Sequence, residues 1–157
     1  LIRSDVVRFL LFGLGAVFIQ VVLLRHLTIF NAQSDLVLIF VLWLCTKRSK
    51  TEAILITGFV AFFQDALTDL WGVNLFSKVL TVFILHNFLN RTSENSFLVW
   101  QIFLIIAGAS LLHNLFFYIV SSLSGLYASE YVVVSLLIVS TLFTALLGGF
   151  LHLVRSR

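Results

Sequence analysis

Gln64-Asp65-Ala66-Leu67-Thr68-Asp69-Leu70-Trp71-Gly72-Val73-Asn74-Leu75-Phe76-Ser77-Lys78 is the stretch whose reading decides the fold. It closes one apolar run, residues 51–68, and opens another, residues 75–89. A connection this short predicts an antiparallel helical hairpin. Carboxylates at the edge of an apolar run are costly in lipid, so their presence calls for a reason. Gly72 suits a tight turn with positive φ, Asn74 suits the cap of the second helix, and Trp71 suits the headgroup level. Asp65 and Asp69 are four apart and share one helical face if the first helix runs that far. Two readings stay open. The carboxylates cap the end of their helix and pair with Lys78 one turn into the next, or they line an outward-facing polar pocket with Asn74 and His113.

Around the hairpin the composition is that of a membrane protein. The 157 residues are 61% hydrophobic and 11% charged, with a mean hydropathy of +1.11. Soluble domains are about half apolar and about a quarter charged. A hydrocarbon core roughly 30 Å thick takes about 20 residues per helix. The expected fold is therefore an all-α polytopic membrane protein, one domain over residues 1–157, with six transmembrane helices in a compact bundle. The expected spans are 9–24, 29–46, 51–68, 75–89, 97–121 and 131–154. The second is awkward: its apolar part, residues 36–45, covers about 15 Å. It crosses only if residues 29–34 join it and bring Asn31, Gln33 and Ser34 with them. A tilted crossing and a re-entrant segment both fit, and a crossing is the favoured reading.

Charge placement gives the orientation. A net charge of +3 would suggest nucleic acid in a soluble protein, but here the cations flank apolar runs. With six spans and both termini cytoplasmic, the inner segments hold Arg3, Arg8, Lys47, Arg48, Lys50, Arg91, Arg155 and Arg157, and the outer ones only Arg25 and Lys78. Eight against two follows the positive-inside rule. Lys47, Arg48 and Lys50 are the expected contact for cytoplasmic partners or anionic lipid. Tyr127 and Tyr131 are placed as interfacial anchors.

Small and polar residues recur at helical spacing. Gly13, Ala16 and Gln20 mark one stripe in the first span. Ser140, Thr144, Gly148 and His152 mark another in the sixth. Both read as helix-packing seams, expected to receive a partner's single helix. His113 and Asn114 lie deep in the fifth span, where interhelical hydrogen bonding outweighs a proton relay. Cys45 is a single apolar-span cysteine. The four histidines show no metal-ligand spacing, and no nucleophile elbow or phosphate loop is present. No catalytic residues, no metal and no cofactor are expected. The chain contains no proline, so any helix break has to come from glycine or polar side chains.

Ser34-Asp35-Leu36-Val37-Leu38, the basic turn 47–50, Gly58-Phe59 and the quoted run 64–78 together resemble MreD, a small multi-pass protein of the bacterial cell-elongation machinery. The likeness covers a little over a third of the chain, and Ser34 stands where that family usually has proline. It implies a non-enzymatic scaffold in the bacterial cytoplasmic membrane. The implied partners are an MreC-like single-span protein and, more widely, MreB, RodA and a class B penicillin-binding protein. The family is similar in architecture to the S components of vitamin transporters, so small-molecule binding is the alternative.

Overall fold

The computed structural model describes residues 4–28, 32–92, 98–125 and 133–155. Among these, five helices are long and apolar enough to cross a membrane, and one shorter apolar helix accompanies them. In chain order they are α1 (Ser4–Val22), the short α2 (Leu36–Cys45), α3 (Lys50–Thr68), α4 (Val73–Thr92) and α5 (Val99–Leu123). The last, α6, is π-helical over Ser135–Ser140 and α-helical over Thr141–Arg155. Asn31, Tyr127 and Tyr131 lie outside the described residues, as do Arg3 and Arg157 from the charge count.

The short helix is the centre of the bundle. α2 packs against each of the other five helices. Val37, Leu38, Val41, Leu44 and Cys45 are fully buried in it. A helix that is apolar on every side belongs in a core, and α2 has protein around it instead of lipid. The other five each keep an outward apolar face, such as Leu11, Phe12 and Phe18 on α1 or Leu142, Leu146 and Phe150 on α6.

The expected continuous span over residues 29–46 does not form. Helix begins only at Leu36, and residues 32–35 carry no helical turn. Non-helical backbone at membrane depth is tolerated only where protein covers it and satisfies its polar groups. Ala32 and Ser34 are buried, and four side-chain bonds take up backbone groups at the break and in the first turn of α2. Ser140 Oγ donates to the Gln33 carbonyl at 2.8 Å. The Asp35 amide donates to Thr144 Oγ1 at 3.0 Å and the Val37 amide to Gln20 Oε1 at 2.8 Å. The Leu38 amide donates to Asp35 Oδ1 at 2.8 Å, which makes Asp35 the cap of α2.

The hairpin forms as expected, with α3 and α4 packed along their length. Ser49 caps α3 by accepting from the Glu52 amide. His86 Nε2 donates to the Arg48 carbonyl at 2.9 Å and ties α4 to the basic turn. Two of the cations expected to face partners are engaged within the chain. Arg48 lies 3.6 Å from Asp5, 3.7 Å from Glu52 and over the Phe9 ring, while Lys50 Nζ sits 4.0 Å above the Phe83 ring. Lys47 is exposed.

Both seams turn inward, which corrects the expectation that they await a partner. A Cβ at Gly13 would lie 2.5 Å from Val60 Cγ2 and 2.9 Å from Phe40 Cε1. Ala16 beside it is half-buried against the core, and Gln20 is buried. A Cβ at Gly148 would lie 2.5 Å from Ile106 Cδ1 of α5. At Gly15, by contrast, a Cβ would meet nothing. Gly13→Leu is therefore expected to cost about 1–3 kcal/mol of stability through overpacking. Gly15→Leu should be close to neutral. Denaturant unfolding of the two variants in mixed micelles checks this, and equal midpoints would show that Gly13 does not carry the α1–α2–α3 contact.

Candidate functional site: a buried ion pair at a helix break

Lys78 is fully buried one and a half turns into α4. Its Nζ lies 2.7 Å from Asp35 Oδ2, 2.9 Å from Asn74 Oδ1 and 3.5 Å from His113 Nε2. The expected pairing of Lys78 with Asp65 or Asp69 is not the one the chain makes. The partner is Asp35, forty-three residues earlier and bound to the end of the central helix.

Hydrogen-bond bookkeeping fixes the protonation pattern around it. Asn114 Nδ2 donates to the Leu136 carbonyl at 3.1 Å and to Thr141 Oγ1 at 3.0 Å, which leaves Asn114 Oδ1 as an acceptor. His113 Nδ1 faces that oxygen at 3.3 Å and so carries the proton. Nε2 is then the free lone pair and accepts from Lys78. An ammonium has three donors, and here all three are used. The Asp35 carboxylate in turn accepts from both Lys78 and the Leu38 amide. Leaving either charge buried and unpaired is what costs heavily, more than forming the pair gains.

Asp65 serves a different end. Its Oδ2 accepts from the Gly72 and Leu75 amides at 3.1 and 2.9 Å, and its Oδ1 from the Asn74 amide at 3.0 Å. The carboxylate thus sits on the open N-terminus of α4, where unpaired amides and the helix dipole favour an anion. This corrects the expected role of Asn74. Asp65, reaching across the hairpin, is the cap, while the Asn74 side chain holds Lys78.

Asp69 does not share a face with Asp65, because α3 ends at Thr68 and Asp69 itself takes left-handed backbone with φ 58°. That conformation is one aspartate tolerates better than most residues. It turns Asp69 outward, where its Oδ1 accepts from Trp71 Nε1 at 2.7 Å. Gly72 has the expected positive φ, 91°.

The structure therefore brings Asn74, Lys78, His113 and Asn114 together with Asp35, Thr144 and Gln20. It sets Asp65 one layer outward and Asp69 on the surface. Asp35 was missed as a site residue, although its signal was in the sequence: a short acceptor immediately before an apolar run is a helix-start signature. Among the described residues, no group of three His, Cys, Asp or Glu side chains is arranged to hold a metal ion. Comparison with protein-family models, curated proteins and solved structures gives no match.

Lys78→Met strands the Asp35 carboxylate and is expected to destabilise the bundle by about 3–5 kcal/mol. Asp35→Asn keeps the cap on Leu38, so the double variant Asp35→Asn/Lys78→Met should regain most of that loss. A double-mutant cycle by denaturant unfolding measures the coupling. Additive effects of the two substitutions would mean that the pair is not a unit.

Proposed function

We propose that this chain is a non-enzymatic scaffold of the MreD type in the bacterial cytoplasmic membrane. It has both termini inside, holds an MreC-like single-span protein, and links cytoplasmic MreB to wall synthesis by RodA and its class B penicillin-binding partner. The observation that carries this reading is the destination of the residues behind the resemblance. Asp35, Asn74 and Lys78, from two separated motifs, meet in one buried cluster, with Asp65 and Gly72 building the turn beside it. Residues spent on each other build a shape; they are not held open for a substrate.

The same bookkeeping weighs against a small-molecule binder. Such a function needs Asp65, Asp69, Asn74 and His113 to converge on a cavity with polar atoms to spare. Asp65 is occupied by three amides, Asp69 by Trp71, and Asn74 and His113 by Lys78. An acid–base role for Asp65 meets the same difficulty, since both its oxygens are committed.

Because the packing seams are filled from within, partner contacts fall to the outward apolar faces and to the basic end around Lys47. Co-expression with the MreC-like protein of the same bacterium, followed by affinity purification in mild detergent, tests the proposal. The two proteins are expected to leave the column together. A chain that purifies alone across mild detergents, while remaining folded, overturns the scaffold reading.

A further inference from the structure

A groove of about 300 Å³ runs between α4 and α5, lined by Leu85, Phe88, Leu89, Leu104, Gly108 and Ala109, with Ile105 beside them. Leu89 and Ala109 form a buried floor, while Phe88 and Leu104 stand more than half exposed as walls. The volume is at the lower end of ligand pockets, which run from roughly 300 to 1,000 Å³. Gly108 keeps the groove open. A Cβ there would meet nothing within 4 Å, unlike those at Gly13 and Gly148, so no contact inside the chain asks for a glycine.

The groove lies at the basic end of the bundle. Phe83 on α4 sits under Lys50, and His86 binds the Arg48 carbonyl, so the helix enters that end as it passes residues 85–89. Arg91 is exposed three residues beyond Phe88, hence on the same face one turn on. Arg48 and Lys78 have carboxylate partners, but among the described residues none lies within ion-pair distance of Arg91. A narrow apolar groove with an exposed arginine on the next turn of its helix fits an amphiphile with an anionic head. From Leu85 to Leu89 the groove extends about 6 Å along the helix, little more than one turn. That is short for the packing of a second transmembrane helix.

We propose that this groove seats the headgroup-proximal part of an acyl chain of an anionic glycerophospholipid whose phosphate is bound by Arg91. The inner leaflet is where such lipids meet the basic ends of membrane proteins. The site uses the purified chain alone and stands apart from the scaffold reading.

Native mass spectrometry of the detergent-purified chain, titrated with phosphatidylglycerol or with phosphatidylcholine of the same acyl chains, tests it. One phosphatidylglycerol is expected to bind about fivefold more tightly than phosphatidylcholine, the worth of one cation near an anionic surface. Arg91→Gln should bring the two lipids to near equality, whereas Lys47→Gln, which does not line the groove, should leave the preference intact. Gly108→Leu should lose the bound lipid of either kind without lowering the thermal midpoint, since its side chain meets nothing in the chain. Equal binding of the two lipids by the unaltered chain would overturn the proposal. So would a preference that Arg91→Gln leaves unchanged, or that Lys47→Gln removes as fully. If Gly108→Leu keeps its lipid, the groove is not the lipid's seat and the proposal is refuted.

Discussion

A helix that stops inside a membrane leaves amides and carbonyls with no water to bind, and everything else in this bundle answers to that constraint. The break before α2 is closed by its own Asp35, by Thr144 and Ser140 of α6 and by Gln20 of α1. Once Asp35 is buried as a cap, its charge needs a counter-charge, and Lys78 supplies it. Lys78 brings two further donors, which Asn74 and His113 accept, and His113 is fixed in its tautomer by Asn114. Each partner is required by the one before. The chain of obligations ends at the π-helical stretch of α6, where Asn114 holds the Leu136 carbonyl and the Thr141 hydroxyl.

Much of this fold is legible from sequence because lipid leaves few options. Apolar run lengths give the long helices, and the Trp-Gly turn gives the hairpin with its positive φ at Gly72. The second apolar run folds differently from its favoured reading, for an identifiable reason. Ten apolar residues look too few for a crossing, and extending the helix backwards looked like the remedy. The alternative, that a short helix is apolar all round because other helices enclose it, depends on tertiary packing that no local pattern reports. In a chain without proline a helix break has to come from glycine or a polar side chain, and here it falls at the capping Asp35.

The candidate site was half legible. Asn74, Lys78, His113 and Asn114 drew notice as polar residues in apolar runs, and they do meet. The pairings were not readable, because spacing along one helix says nothing about which carboxylate arrives from another. Asp65 was the nearer candidate for Lys78 by sequence, yet its geometry across the hairpin points it at the amides of residues 72, 74 and 75. The small-residue stripes show the same limit from the other side. Periodicity identifies a packing seam but does not say whether the neighbour is another chain or this one.

The pairing of Lys78 with Asp35 also bears on how the protein sits in an energised membrane. Moving one elementary charge through the full membrane potential involves about 2.3 kcal/mol per 100 mV. An isolated lysine or aspartate at this depth would be pulled along the field, and the bundle would gain or lose stability as the cell polarised. Held 2.7 Å apart, the two charges nearly cancel as seen by the field, so a voltage exerts almost no net force on the pair. At this pair the core therefore offers a membrane potential a dipole and no net charge.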